Sequence, residues 1–263
     1  MNGCLVIIPI HKESPNDKEL SSFAQCCQIL GKHPICIVTH KDINIGQYED
    51  TASKYNINLL RENFGSSYFS SVVGYNLLML ESSFYTRFAN YKYILIYQLD
   101  AWVFCDELED WCNKGYDYIG APWLEPDENG ILRFAGVGNG GFSLRRVQHF
   151  IDVLSYKGPV RNGKQLQLKP TLKNTIYRWF YSMGYQNTIE YYKKDPTLYE
   201  DIFLSIFLQN TKLRAKIPEP ETASLFAFEK QPSYLYSKIG HLPFGCHAWK
   251  KYEYDSFWNQ YIK

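Results

Sequence analysis

The stretch YKYILIYQLDAWVF, residues 91–104, is the most β-prone run in the chain. Its apolar residues follow one another without alternation, which suits a strand buried within a layered domain. The run closes on Gln98, Leu99 and Asp100, so a carboxylate stands at its carboxyl end. An Asp in that position is rigidly placed to hold a divalent cation. The same residue type also caps helices and shapes turns.

Upstream, CLVIIPI (4–10) and PICIVTH (34–40) read as further buried strands, and Ile57–Leu60 as a short third. Helical patterns separate them, one from Ser14 to Leu30 and a longer one from Ser66 to Phe88. A β-α-β-α-β rhythm of this kind predicts a mostly parallel sheet with helices on its faces. Ligands of such sheets bind beyond the carboxyl ends of the strands. His11, His40 and the Gln98–Asp100 turn are therefore expected on one rim.

Downstream the pattern loosens. GYDYIGAPW (115–123) reads as a strand running into a proline turn, and LEPDENGILRF as a polar loop or hairpin. AGVGNGGFSLRR (135–146) is glycine-rich, with a helix expected from Arg145. Residues 156–197 show no clean period and are expected to form a mobile loop and helix excursion. Tyr199–Leu208 reads as helical, and the tail from Lys216 as strand, loop and aromatics. No repeat or linker divides the 263 residues, so 1–263 is expected to be a single domain.

Four glycines between Gly136 and Gly141 mean either close backbone approach to another group or positive φ angles. Amides in such a loop can bond sugar hydroxyls or phosphate; a plain tight turn is the ordinary alternative. Glu200-Asp201 stands before an apolar helical run. Acids there complement the helix dipole, or one of them serves as a general base. His247, in a Gly/Pro loop beside Trp249, is a candidate metal ligand or phosphate partner.

Several classes are excluded. With 28 basic against 27 acidic residues, the chain lacks the excess of a nucleic-acid binder. The glycine loop has neither the Gly-Lys-Ser/Thr ending of a phosphate loop nor the GxGxxG of a dinucleotide site. Seven cysteines without CxxC spacing read as buried thiols of a reducing compartment rather than as a zinc site. The N-terminal apolar run reads as a first strand, not a signal peptide, and no stretch is long enough to span a bilayer. A cytoplasmic protein is expected. The aromatic content of 17% suits a core and also suits sugar rings, with their apolar faces and polar rims.

The strings YILIYQLDAWVF, GYDYIGAPW, GNGGFSLR, EDIFLS and PFGCHAW, in this order, resemble the bacterial family DUF5672, which in turn looks like the GT-A glycosyltransferases. The resemblance runs from about Val6 to Trp249. It implies a GT-A-like α/β fold with a mixed, mostly parallel central sheet flanked by helices. It further implies transfer of a sugar, by inversion, from a nucleotide-sugar donor, with UDP-sugars the first candidates. The implied acceptor is a glycan or lipid-linked glycan of bacterial surface polysaccharide. Gln98-Leu99-Asp100 falls where the class carries its DxD signature, with Gln in place of the first acid. The implied donor site is Pro9, His11, Gln98, Asp100, Asn139, Gly140 and Gly141. Asp100 and His247 are the implied ligands of Mn²⁺ or Mg²⁺, with metal dependence weakened by the loss of one carboxylate. Asp201 is the implied base, and Glu200 the holder of acceptor hydroxyls. A lipid-linked acceptor would bring peripheral contact with the inner membrane. The alternative is a silent sugar-nucleotide or carbohydrate binder of the same fold. A nucleotidyltransferase is disfavoured, because IPIHKESPNDKE lacks the glycine- and lysine-rich loop such enzymes carry after the first strand.

Overall fold

The computed structural model describes residues 2–195 and 197–262. Its central strands are β1 (Asn2–Pro9), β2 (Ile35–Thr39), β3 (Leu60–Asn63) and β4 (Tyr91–Tyr97). All pair in parallel, β1 lying between β2 and β4. Alternate residues of β1 and β4 feed two different cores. Val6, Ile8, Leu95 and Tyr97 face one side. Leu5, Ile7, Ile94 and Ile96 face the other. Each side is covered by helices, which is why these strands read as unbroken apolar runs. The first side packs Phe23, Cys26 and Leu30 of the helix Asp17–Leu30. That helix begins at a capping box formed by Asn16 and Glu19. The second side takes Phe84 and Phe150, from the helices Ser82–Arg87 and Val147–Leu154.

The remaining strands are β5 (Trp102–Val103), β6 (Tyr118–Ile119), β7 (Pro122–Pro126), β8 (Leu132–Val137), β9 (Phe142–Arg146), β10 (Ala227–Phe228) and β11 (Gly245–Cys246). The main sheet has the order β3-β2-β1-β4-β9-β6, with β9 antiparallel to both neighbours. This is the mixed, mostly parallel α/β architecture that the sequence implied. β7 and β8 form the hairpin expected in LEPDENGILRF. β10, β11 and β5 make a small separate sheet.

Three expectations change. The helix expected over Ser66–Phe88 is broken into a 3₁₀ turn (Ser66–Phe69) and two helices, Val72–Met79 and Ser82–Arg87. Serines do this: Ser70 Oγ bonds Ser67 O, and Ser71 Oγ takes the Gly74 amide, competing with a continuous helix. FSLRR forms β9, not a loop and helix, because β4 offers it a complete antiparallel ladder from Tyr93 to Tyr97. The short strand expected at Ile57–Leu60 lies at Leu60–Asn63, whereas Tyr199–Leu208 is helical as expected, as the α-turn Glu200–Ile202, the π-turn Phe203–Phe207 and the start of a 3₁₀ turn, Leu208–Asn210. Among the described residues no helix is long and apolar enough to cross a membrane.

Candidate active site

The chain order reverses between β1 and β4: β2 follows on one side of β1, and β4 lies on the other. Such a switch point opens a crevice at the strand ends. Pro9 and His11 leave β1 there, and Gln98, Leu99 and Asp100 leave β4. They line a cleft of about 550 Å³, roofed by residues 68–72 and by Tyr75. His40 follows β2 on this rim as expected, but it packs against Phe69, with ring centroids 6.0 Å apart, rather than lining the cleft. A second cleft of about 650 Å³ shares Val72, Tyr75 and Gln98 with the first, so the two adjoin. Its walls carry Trp123, Asn139, Gly140, Gly141, Tyr199, Glu200, Asp201, Glu229, His247, Lys230 and Lys251.

The small sheet explains how distant residues meet. β10 and β11 run parallel, and β5 runs antiparallel to β11. The residues just after β10 and β11 and those just before β5 therefore share one end: Glu229, His247 and Asp100. The His247 Nε2 lies 3.1 Å from Asp100 Oδ1 and 3.2 Å from Gln98 Oε1. Its Nδ1 lies 3.3 Å from Glu229 Oε1. Burial opposes charge on this imidazole, but the Asp100 and Glu229 carboxylates outweigh burial and raise its pKa to about 9. Burial works against the Asp100 carboxylate too, and the imidazolium nonetheless holds it below its ordinary value.

The glycine loop is shaped by what presses on it. A Cβ at Gly141 would overlap the His247 ring, and one at Gly140 would overlap the Glu200 carboxylate. Asn139 between them and β8 takes a left-handed φ of +71°. Its Oδ1 accepts the Gly141 amide at 2.9 Å, and its own amide donates to Asp201 Oδ2 at 3.2 Å. The Gly141 carbonyl in turn accepts the Gln98 amide at 2.8 Å. The loop thus joins the end of β4 to Asp201.

The two adjacent acids behave differently. Asp201 is half-buried and opens on the second cleft. Burial raises its pKa, although the amides of Ile202 and Asn139 pull it back. Glu200 is only 5% exposed, and its Oε1 pairs with Arg145 at 2.9 Å. Arg145 is fully buried and also donates to Ser143 Oγ, Tyr85 OH and the Gly140 carbonyl. Burial disfavours the charge on Arg145, and Glu200 beside it more than restores it. The Glu200 amide is held by Asn76 Oδ1. The carboxylate expected to hold acceptor hydroxyls is therefore already committed on one oxygen to the interior.

Sequence reading missed Trp123, Tyr75, Glu229 and Arg145. Trp123 belongs to a string that was singled out, but its ring position against Gly138 needs the folded loop. Tyr75 stands where the clefts join, its buried hydroxyl without a hydrogen-bond partner. Glu229 follows a two-residue strand that carries no pattern of its own. Arg145 was expected at a helix start, and only its place in the buried strand β9 makes its guanidinium demand an acid.

Metal binding is testable against this donor set. Among the described residues no group of three or more His, Cys, Asp or Glu forms a ready cage. The chain instead offers Asp100 Oδ1, His247 Nε2 and Gln98 Oε1. Their spacing to Nε2 of 3.1 and 3.2 Å resembles adjacent ligands of an octahedral ion, roughly 3 Å apart for bonds of ~2.1 Å. Glu229 on Nδ1 is the carboxylate that commonly orients a ligating His. The residues fit Mn²⁺ or Mg²⁺ completed by water or other oxygen ligands.

Sheet order and cleft together define a mixed, mostly parallel α/β fold with a crevice at its switch point. The chain belongs to the family described as protein of unknown function (DUF5672), whose model matches residues 58–247. Two solved structures to which it is similar are glycosyltransferases. One is core-mannan synthase A from Aspergillus fumigatus in a Mn/GDP form: 11% identity, 76% of this chain and 71% of that chain, TM-score 0.40. The other is the apo-form glycosyltransferase GlyE of Streptococcus pneumoniae: 13% identity, 94% of this chain and 54% of that chain, TM-score 0.47. The chain thus spans about half the length of GlyE. No curated protein matches the chain.

Proposed function

We propose that this protein transfers a sugar from a nucleotide-diphosphate donor to a glycan acceptor, with inversion. The observation that carries the reading is the adjacency of the two clefts. One lies at the switch point of the sheet, the other carries a half-buried carboxylate, and Gln98 and Tyr75 stand between them. The nucleotide takes the first cleft, beside Pro9 and His11. The helix Val72–Met79 begins on its wall, and a helix N-terminus favours phosphate. The acceptor takes the second cleft, where Trp123 offers a ring face to a sugar.

Asp100, His247 and Gln98 would hold a divalent cation, and that ion, when bound, offsets the charge of the departing diphosphate. Asp201 takes the proton of the acceptor hydroxyl as its oxygen attacks the anomeric carbon. The bond from that carbon to the diphosphate oxygen breaks on the opposite face. A carboxylate lifted by burial is the stronger base, and general-base help is worth ~10²- to 10⁴-fold. Glu200, tied to Arg145, positions the Gly140 loop and the start of the Asp201 turn.

The test is a thermal-shift screen of sugar nucleotides with Mn²⁺ or Mg²⁺, followed by transfer assays. A ligand at a hundredfold its Kd adds ~2.7 kcal/mol of stability. Asp201→Asn is expected to keep donor binding and lose transfer by ~10²- to 10⁴-fold. Full turnover in that variant removes Asp201 from the mechanism, and silence toward every sugar nucleotide removes the whole reading. The Gln at position 98, where a second acid would strengthen the metal site, favours one rival: a protein that binds the donor without turning it over. Donor binding without hydrolysis or transfer is its signature.

A further inference from the structure

Residues 156–197 hold the one long departure from ordinary amphipathic packing among the described helices. The helix Leu172–Ser182 is 11 residues long, roughly 16 Å. Leu172, Ile176, Trp179, Phe180 and Met183, at its C-cap, recur at the spacing of a single helix face, within a sector of roughly 100°. They are the outward side, 47–79% exposed. Arg178 and Tyr181 turn inward instead, and several polar groups bond the neighbouring stretch of chain. Asn174 bonds the Lys169 carbonyl, Arg178 bonds the carbonyls of Leu166 and Leu168, and Tyr181 bonds Tyr192. A surface helix normally does the reverse.

The charge of this region is equally uneven. From Lys157 to Ile189 the chain carries six basic residues and no acidic one, although the whole chain is only +1. The remainder of the chain is thus net negative. Beside the C-terminal end of the helix, at Ser182, lies an open hollow of about 800 Å³. Arg161, Lys164 and Lys212 line it, and no carboxylate does. The hollow and the helix are joined where the Gly163 amide donates to Ser182 Oγ at 3.2 Å.

We infer that this face docks on an anionic lipid bilayer. The helix lies in the plane of the surface with Leu172, Ile176, Trp179, Phe180 and Met183 at the boundary of headgroups and acyl chains. The lysines and the basic hollow meet the headgroup phosphates. An apolar stripe containing Trp, flanked by cations, is the pattern of an interfacial helix. A second copy of the chain is the poorer occupant, because a two-fold contact through this face would set its cations against themselves. The inference concerns where the protein sits and stands whether or not it turns over sugar nucleotides.

Co-sedimentation of the full chain with vesicles tests it, using phosphatidylcholine alone and phosphatidylcholine with added phosphatidylglycerol. Binding is expected to the anionic vesicles and to fade as salt rises. Lys169→Gln and Lys173→Gln should each weaken it about fivefold. Trp179→Ser with Met183→Ser should weaken it at least tenfold, with the melting temperature unchanged because both side chains are exposed. Absence of binding to anionic vesicles at low salt overturns the inference, as does binding indifferent to all four substitutions. A dimer in vesicle-free buffer that Trp179→Ser/Met183→Ser dissociates gives the face to a second copy and equally overturns it.

Discussion

The two clefts meet at Gln98 and Tyr75 yet are built in opposite ways. The first is made of strand ends and helix starts, each formed by residues close in sequence. The second is made of side chains from remote segments pressed against bare backbone: His247 on Gly141, Glu200 on Gly140, Trp123 on Gly138. Regular elements can absorb a lost side chain because their backbone ladders persist. A pocket assembled from buried ionic contacts has no such reserve. The second cleft should therefore respond far more sharply to single substitutions.

Two ion pairs give the largest contrast. Arg145–Glu200 in the second cleft is 2.9 Å long with side chains 0% and 7% exposed. Arg87–Glu62, beside β3, is 3.0 Å long with side chains 56% and 35% exposed. Arg145→Met strands a buried carboxylate and should cost about 3–5 kcal/mol of unfolding free energy in a denaturant titration. Arg87→Met should cost about 1 kcal/mol or less. Adding Glu200→Gln to Arg145→Met should restore part of the loss, since the orphaned charge is gone. Equal losses at the two pairs would break the comparison.

His247 sharpens it through pH. An imidazole raised from its ordinary 6.5 to about 9 stabilises the fold fully below pH 6.5, and that stability is lost as pH climbs through 9. At 1.36 kcal/mol per unit the loss is about 3 kcal/mol. The reading is the difference between wild type and His247→Gln, in chelator, across pH 6 to 10. Thiols and phenols also titrate in that range, and the difference cancels them. A difference that does not change with pH would mean the two carboxylates do not hold the imidazole charged.

The same contrast explains what could be read from the sequence. β1, β2 and β4 and the helix after β1 follow from apolar runs and a capping box, because short-range chemistry decides them. Asp100 and His247 were legible as candidates, but that they are neighbours came only from the resemblance, not from the residue pattern. Their meeting depends on β5, β10 and β11, strands of two residues that carry no periodicity. β9 was hidden because its partners, β4 and β6, supply the reason it is extended. The outward stripe of Leu172–Ser182 was hidden for another reason: its apolar residues stand among Lys, Asn, Arg and Tyr in a stretch that showed no clean period, and a pattern alone does not say which face meets the protein.

Glycine substitutions test the comparison at a smaller scale. Gly141→Ala puts a methyl into the His247 ring and should cost about 1–3 kcal/mol, the usual range for overpacking. The displaced imidazole should also flatten the pH dependence described above. Gly65→Ala, just before the roof of the first cleft, meets nothing closer than 3.8 Å. Its backbone φ is −61°, which alanine adopts freely, so stability should change by a few tenths of a kcal/mol at most.

The most local effect belongs to the first cleft itself. Ser71 caps the helix Val72–Met79, its Oγ accepting the Gly74 amide at 3.0 Å. Ser71→Ala leaves that amide unbonded and should cost about 1 kcal/mol, as caps usually do. The helix is short and its exposed start carries Val72 and Val73, so the loss should stay within the roof, with the parallel sheet beneath unaffected. Hydrogen exchange can localise it: the amides of residues 72–76 should open faster, while those of β1 and β4 keep their protection. If protection falls across β4 and the Gly138–Gly141 loop as well, the roof and the second cleft form one cooperative unit. The division between a locally built cleft and a remotely assembled one would then fail at Tyr75, one of the residues they share.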